Sequence, residues 1–496
     1  PASQVGWSDM TAGDPRAFVI EMDGLNRLWV GNANSLFCCD ARSSRRIWQS
    51  NTNDEITCMT SVGKDTLYFG GNSSTLFGYL NGKVERFADS MYYVTDLLEH
   101  NGENLFFSAG EMYRITPQGM VKIWDHNIRV GVSDVIVDRE NNVWVATWEG
   151  LVKISPRFFE QMPVSQYPAL EEIYGIGVDA AGLPLFGANH GKAYQLTGGA
   201  KPQLQSLHTR ICPNANINDF YTDALGRQWI ATEYDGLAVL ESGQLRRLGQ
   251  KDGLHDEGLF RLLPARNGDL WAIGDGGVSM IELSRASIRL RTPRIQAIRF
   301  VRPQEGLNTL TCGVEDPLGG LWFGGNRGLY KNTARGLEEV SLYPDQNIMI
   351  SGMSLDPSGR LWIATLGNGL ICCSWNGAQW QPEQTFTEKD GLFSGNLLAV
   401  LADSKGRIWV GYGFGIGLLE FSADKTWHIR YFNDRDGFFP KGCHRMQIME
   451  TPSGRFWVAS PTGVCHFRPD SFTRNEVAPI VRIREVQLFE GYYDYK

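Results

Sequence analysis

Residues 395–430 read GNLLAVLADSKGRIWVGYGFGIGLLEFSADKTWHIR, and this stretch decides the fold. Four β-rich runs alternate with turn signals. LLAVLAD reads as a first strand, SKG as a turn, RIWVGY as a second strand and the FGIG region as a loop; GLLEFS is the third strand and TWHIR the fourth. A sheet this small cannot bury both of its faces alone. Stacking several around an axis covers them and leaves only short edges. The Trp of the second strand, here Trp409, is then filler between neighbouring sheets.

The same phrase recurs along the chain: an Asp or polar residue, a Gly-containing turn, an apolar residue, Trp, and a β-branched or small residue. It reads DGLNRLWVGN around Trp29, DRENNVWVAT around Trp144 and DALGRQWIAT around Trp229. It returns as RNGDLWAIG (Trp271), DPLGGLWFGG (Trp322), DPSGRLWIAT (Trp362), DSKGRIWVGY (Trp409) and TPSGRFWVAS (Trp457). Degenerate copies centre on Tyr68, Phe106 and Leu185. Successive spacings are 39, 38, 38, 41, 44, 42, 51, 40, 47 and 48 residues. A period near 40–50 with Gly turns and no sustained helical periodicity marks propeller blades rather than a helical solenoid. The expected fold is therefore all-β: tandem β-propellers of four-stranded blades, eleven of them visible.

Propellers close with about four to eight blades, so eleven copies imply two rings or an incomplete pair. Counting from the start gives seven copies up to Trp271, followed by the widest interval, which contains TPRIQAIRFV (292–301), a linker or an extra strand. This predicts a seven-bladed propeller over 1–291, an apparently incomplete four-bladed one over 292–475, and the start of a β-sandwich over 476–496. Counting backwards from Trp457 gives seven copies from Leu185 with four before them. The spacing favours the break near 292.

The motif D-x-x-G-x-[LI]-W-[VI]-[GA]-T resembles the two-component regulator propeller repeats. So do the D-G-L phrases leading into first strands, KDGLHDEG (251–258), KDGLFSGN (389–396) and RDGFFPKG (435–442). The resemblance spans about residues 15–475, with departures at Tyr68, Phe106 and Leu185. It implies the extracytoplasmic, periplasmic sensor region of a membrane-anchored regulator whose output module lies elsewhere. It also implies that APIVRIREVQLFEG (478–491) opens the β-sandwich that follows such propellers. Symmetric dimers suit signal transmission through that part.

Composition narrows the partners. A formal net charge of -8 and the lack of a Lys/Arg cluster argue against nucleic acid and against a membrane surface, and no apolar run reaches the ~18 residues of a spanning helix. PASQVGWSDM has no signal-peptide pattern, which decides nothing about the compartment. The nine cysteines lack a CxxC or any zinc spacing; Cys38-Cys39 and Cys372-Cys373 read as small buried hydrophobes between sheets. No GxSxG, HExxH or P-loop occurs. GYGFGIG (411–417) follows a strand with no helix after it, so it is not a dinucleotide fingerprint. No cofactor, metal or catalytic residue is expected.

In a four-stranded blade the loop from the second to the third strand lies on the same face as the loop leading into the next blade. These loops rim the axial mouth, the default binding site. The first set supplies Trp148, Glu149, His190, Tyr234, Asp235, Asp275, Arg327, Asn368, Phe414 and Pro461; the second supplies His255, Asp256 and Phe393. Aromatic faces with hydrogen-bonding groups suit a sugar. The expected function is recognition of a glycan fragment or other small molecule. The alternatives are a scaffold for protein partners and a polysaccharide lyase or hydrolase, the latter with His190 and His255 at a metal-assisted mouth.

Overall fold

The computed structural model describes residues 18–39, 44–51, 55–62, 64–72, 75–88, 94–100, 103–108, 111–116, 119–125, 132–138, 142–154, 158–162, 164, 167–198, 203–208, 211–283, 294–301, 308–344, 346–422, 426–438, 446–460, 462–472, 486–488 and 491–493. Among the described residues, ten four-stranded antiparallel sheets and one three-stranded sheet account for the eleven repeats, and a two-stranded hairpin, Val486–Leu488 with Gly491–Tyr493, follows them. No α-helix occurs among the described residues.

The repeat motif has a local cause. In the segment DPSGRLW, Asp356 Oδ1 accepts the backbone N–H groups of Ser358 (2.9 Å) and Arg360 (3.0 Å). Its Oδ2 accepts Arg360 Nε (2.9 Å) and the indole Nε1–H of Trp362 (3.0 Å). One carboxylate thus closes the turn and satisfies a buried indole six residues on. Burial opposes the charge of Asp356, but the hydrogen bonds from Ser358, Trp362 and Arg360 outweigh it and hold the pKa below the usual value. The same Asp-to-Trp bond recurs at Asp23–Trp29, Asp138–Trp144, Asp223–Trp229, Asp316–Trp322 and Asp403–Trp409. Trp271 has Ala265 at that position, and its buried Nε1 finds no partner among the described residues.

The D-G-L phrases are also explained. Gln250–Asp252, Glu388–Asp390 and Asp434–Asp436 each form a single 3₁₀ turn, ended by Gly253, Gly391 and Gly437 at φ 109°, 102° and 86°. That left-handed conformation favours Gly. The next residue, Leu254, Leu392 or Phe438, drops into the core.

The chain divides into two compact units, one of 1–156 with 474–496 and one of 157–473. The second holds seven sheets. Their first strands are Ile173–Val178, Ile217–Thr222, Leu259–Pro264, Leu310–Glu315, Ile350–Leu355, Ala399–Ala402 and Gln447–Glu450. Each packs against the next, and the last returns to the first, so the ring is closed. Closure uses a strand from the beginning of the unit: Phe159–Met162 pairs with Gly463–Phe467 and becomes the outer strand of the seventh sheet. Gln447 seals the seam, accepting the N–H of Ile176 (3.1 Å) and donating to the carbonyl of Asn218 (2.7 Å).

The expected division after residue 291 does not match these units. Arg294–Arg299, from the segment read as a linker or extra strand, is the ordinary outer strand of the Trp271 sheet, paired with Gly277–Glu282. The seven sheets run from the Leu185 copy to the Trp457 copy, as the backward count has it. The FGIG loop is also shorter than expected, because Gly415 already begins the strand that ends at Phe421.

The first unit contains the Trp29, Tyr68 and Phe106 sheets, each four-stranded, and the Trp144 sheet, whose strands are Val132–Val137, Val143–Thr147 and Gly150–Ile154. The 292–475 and 1–291 assignments are thus replaced by a closed seven-sheet unit preceded by four sheets. Of the 476–496 assignment, only the hairpin lies within the described residues.

Inter-sheet packing follows the expected rule. Seven repeat tryptophans are at most 4% exposed, with Trp322, Trp362 and Trp409 at 0%. Trp144 is only half-buried, and Ile136 and Leu151 of the same sheet are exposed. Burial raises the thiol pKa of Cys372 and Cys373 to about 12.

Candidate functional site

The closed ring of first strands encloses a channel. One cavity of about 520 Å³ follows the strands of the third to seventh sheets and opens at Thr309, Asn326, Met349 and Leu366, on the face of the second-to-third-strand turns. A second, of about 610 Å³, opens at the opposite end beside Asp179, Asp223 and Ala224. Arg261, Leu262 and Ile448 line both. Each volume falls in the range of small-molecule sites, about 300–1,000 Å³.

The first cavity has a mixed wall. Met349, Met353, Met446, Leu366 and Leu398 supply apolar surface, while Thr309, Thr311, Ser351, Ser354 and Gln447 supply polar groups. Most hydroxyl protons there are already used. Thr309 Oγ1 donates to Asp275 (2.6 Å), Thr311 Oγ1 to the carbonyl of Ile350 (3.0 Å), and Ser351 Oγ to that of Leu397 (2.6 Å). Arg261 approaches Asp219 at 3.6 Å, and the Asp219 side chain is 7% exposed against 37% for Arg261. The other Asp219 oxygen accepts the N–H of Leu262 (2.8 Å). Burial pushes the Asp219 pKa up, and Arg261 pulls the other way.

The residues singled out from the sequence fall around this mouth in different ways. Tyr234, Phe393 and Phe414 are exposed at 65%, 54% and 64%. Phe393 lies flat on Tyr431, with centroids 4.1 Å apart and planes 1° from parallel, and the Tyr431 hydroxyl donates to the carbonyl of Phe414 (3.0 Å). With Tyr412 set edge-on to both Phe393 and Tyr431, they form one aromatic platform at the sixth sheet. Asn368 sits at an exposed hairpin tip, its N–H bonded to Thr365 Oγ1. Arg327 is half-buried beside the lining residue Asn326.

Asp256 and Asp275 approach one another. Burial raises the Asp275 pKa, the Thr309 hydrogen bond opposes this, and the charges of Asp256 and Glu233 add to the rise. Asp256 Oδ1 is occupied by the N–H groups of Glu257 and Gly258. Asp235 lies in the turn after Thr232, whose Oγ1 accepts its N–H.

His255 departs from its expected place on the rim. It is 1% exposed, with Nδ1 2.7 Å from Ser279 Oγ, and burial, aided by Arg299, lowers its pKa to about 4. His190 stands apart in a hollow of about 110 Å³ with Asn189, Lys192 and Tyr194, at a left-handed φ of 51°. Trp148 (82% exposed) and Glu149 belong to the first unit, in the turn of the Trp144 sheet. Pro461 lies outside the described residues. None of the twelve candidates within the described residues lines the 520 Å³ cavity. Its wall comes from first strands, where Arg261, Thr311 and Ser351 interrupt apolar runs; polar residues inside an innermost strand were the available signal.

No family model matches the chain, and no curated protein matches it. Solved structures do. The extracellular domain assigned to the hybrid two component system BT3049 of B. thetaiotaomicron is similar at 17% identity, over 92% of this chain and 68% of that one, with a TM-score of 0.57. The corresponding domain of BT4673 from the same organism gives 15% identity, 92% and 70% coverage, and a TM-score of 0.31. A streptogramin B lyase gives 17% identity, 63% and 96% coverage, and a TM-score of 0.46. The chain shares a β-propeller fold with BT3049. The other two likenesses are too distant to add to that.

Proposed function

We propose that this chain is the extracytoplasmic ligand-sensing region of a membrane-anchored two-component-type receptor. It binds a small molecule, of the glycan-fragment class, in the channel mouth of the seven-sheet ring. The observation that carries this reading is the cavity of about 520 Å³ opening among polar and apolar side chains on the face where the ring's turns converge. The flat Phe393–Tyr431 pair of the sixth sheet offers a surface on which a sugar ring can stack. The likeness in fold to the BT3049 extracellular domain supports a receptor context. Binding without turnover is the expected chemistry, with the signal passed to parts of the receptor outside this chain.

A second reading, a docking face for a protein, is favoured by the exposure of Tyr234, Phe393 and Phe414 on one side of the ring. A thermal-shift screen against oligosaccharides, with product analysis of every hit, separates the readings. A saturable rise in melting temperature with intact ligand supports the sensor. Product formation indicates an enzyme, and no shift across the panel favours the protein-docking face.

A further inference from the structure

We propose that the ligand of the channel cavity carries an anionic group, a carboxylate or its equivalent, and that Arg261 selects it. This rests on the sensing role proposed above and specifies the chemistry of its ligand.

Among the described residues, Arg261 is the single charged one lining the 520 Å³ cavity. Three of the neutral hydroxyls around it have little to offer an anion. The hydroxyl protons of Thr309, Thr311 and Ser351 are spent on Asp275, Ile350 and Leu397. Ser354 Oγ accepts the N–H of Ala402, and Gln447 is engaged at both ends of its amide. These groups retain lone pairs and can accept from ligand hydroxyls. The guanidinium is the cationic group among these, with five N–H donors.

Asp219 pairs with it loosely and leaves donors of the guanidinium for a ligand. The closest approach of the pair is 3.6 Å, beyond hydrogen-bond length, and Asp219 lines the opposite cavity rather than this one. Its second oxygen is held by the N–H of Leu262. Arg261 has five N–H donors in a planar fork and presents an edge that matches a carboxylate with two parallel bonds. Arg261 lines both cavities. With a neutral sugar there, the guanidinium has only Asp219, at 3.6 Å, as counter-charge; an acidic one adds a directly hydrogen-bonded carboxylate.

The test compares digalacturonic acid with galactobiose and cellobiouronic acid with cellobiose, by thermal shift and calorimetric titration on the whole chain. Arg261→Met alone leaves the buried Asp219 unpaired. The working variant is therefore the double Asp219→Asn with Arg261→Met, checked for a native circular dichroism spectrum, alongside Arg261→Lys. The expected result is that one or both acidic sugars bind at least about tenfold tighter than their neutral counterparts. That preference falls to near unity in the double variant and is partly kept by Arg261→Lys. Equal binding of neutral counterparts, or acid preference surviving in the double variant, overturns the anionic inference and leaves the sensing role standing. If no sugar of either kind binds, both fail.

Discussion

Truncating Asp316 and Asp223 to Ala in separate variants tests the physical reason for the repeat motif. At Asp316 three donors lose their acceptor: the N–H of Leu318 (2.9 Å), the N–H of Gly320 (2.8 Å) and Trp322 Nε1 (2.8 Å). Leu318 is 77% exposed, so the turn donors re-pair with water at small cost. Trp322 is 0% exposed, and its stranded indole N–H costs about 1–3 kcal/mol. With the weakened turn, the loss comes to about 2–4 kcal/mol.

Asp223 makes the equivalent three bonds and one more, an ion pair to Arg227 Nε at 2.6 Å with side chains 8% and 6% exposed. Removing one member of a buried pair costs about 3–5 kcal/mol because the other charge remains. Asp223→Ala is therefore more damaging than Asp316→Ala by about 2 kcal/mol or more. Adding Arg227→Gly, the residue type at 320, removes most of that excess. Urea unfolding followed by tryptophan fluorescence, at matched m-values, reads these differences. Equal losses at both sites, or none at Asp316, refute the reasoning.

Other consequences follow from the same structure. His255 has a folded pKa of about 4, below the unfolded 6.5, so the folded state binds fewer protons. Stability is then level above about pH 6.5 and falls toward pH 4, by at most about 1.4 kcal/mol per pH unit for one group. Denaturant midpoints from pH 7 to pH 4.5 check this, and His255→Gln flattens the slope. Phe159, 1% exposed on the closing strand, packs on Phe432, Phe438 and Phe467; Phe159→Ala costs about 3–5 kcal/mol and raises protease cleavage at the seam. Trp362→Ala, at a fully buried site, costs more by chemical denaturation than Trp144→Ala, at a half-buried one.

The fold was legible because six of the eleven blades repeat one local problem, a tight turn followed by an indole, and solve it with the same Asp. The Trp271 copy lacks the Asp yet keeps its turn, since Ala265 and Gly268 still hold the backbone bonds. The partition into rings was not legible. It depends on Phe159–Met162, a strand outside every repeat motif whose partner lies some 300 residues on. Spacing misled because the widest interval holds an ordinary outer strand. The mouth was half legible: topology puts the turns on one face, but sequence does not tell which turn residues fold inward, as His255 does against Ser279. The channel wall is a property of ring closure, so Arg261 and Thr311 gain their meaning only when seven sheets meet.

The ring is proposed to bind a small ligand in its channel. This is tested most directly by calorimetric titration of thermal-shift hits against the wild-type chain and Ser351→Phe, which places a bulky ring on the cavity wall. Saturable binding to the wild type, with ligand recovered intact and affinity lost in a natively folded Ser351→Phe variant, is the result this account predicts. Unchanged affinity in that variant would contradict it and move the site out of the channel.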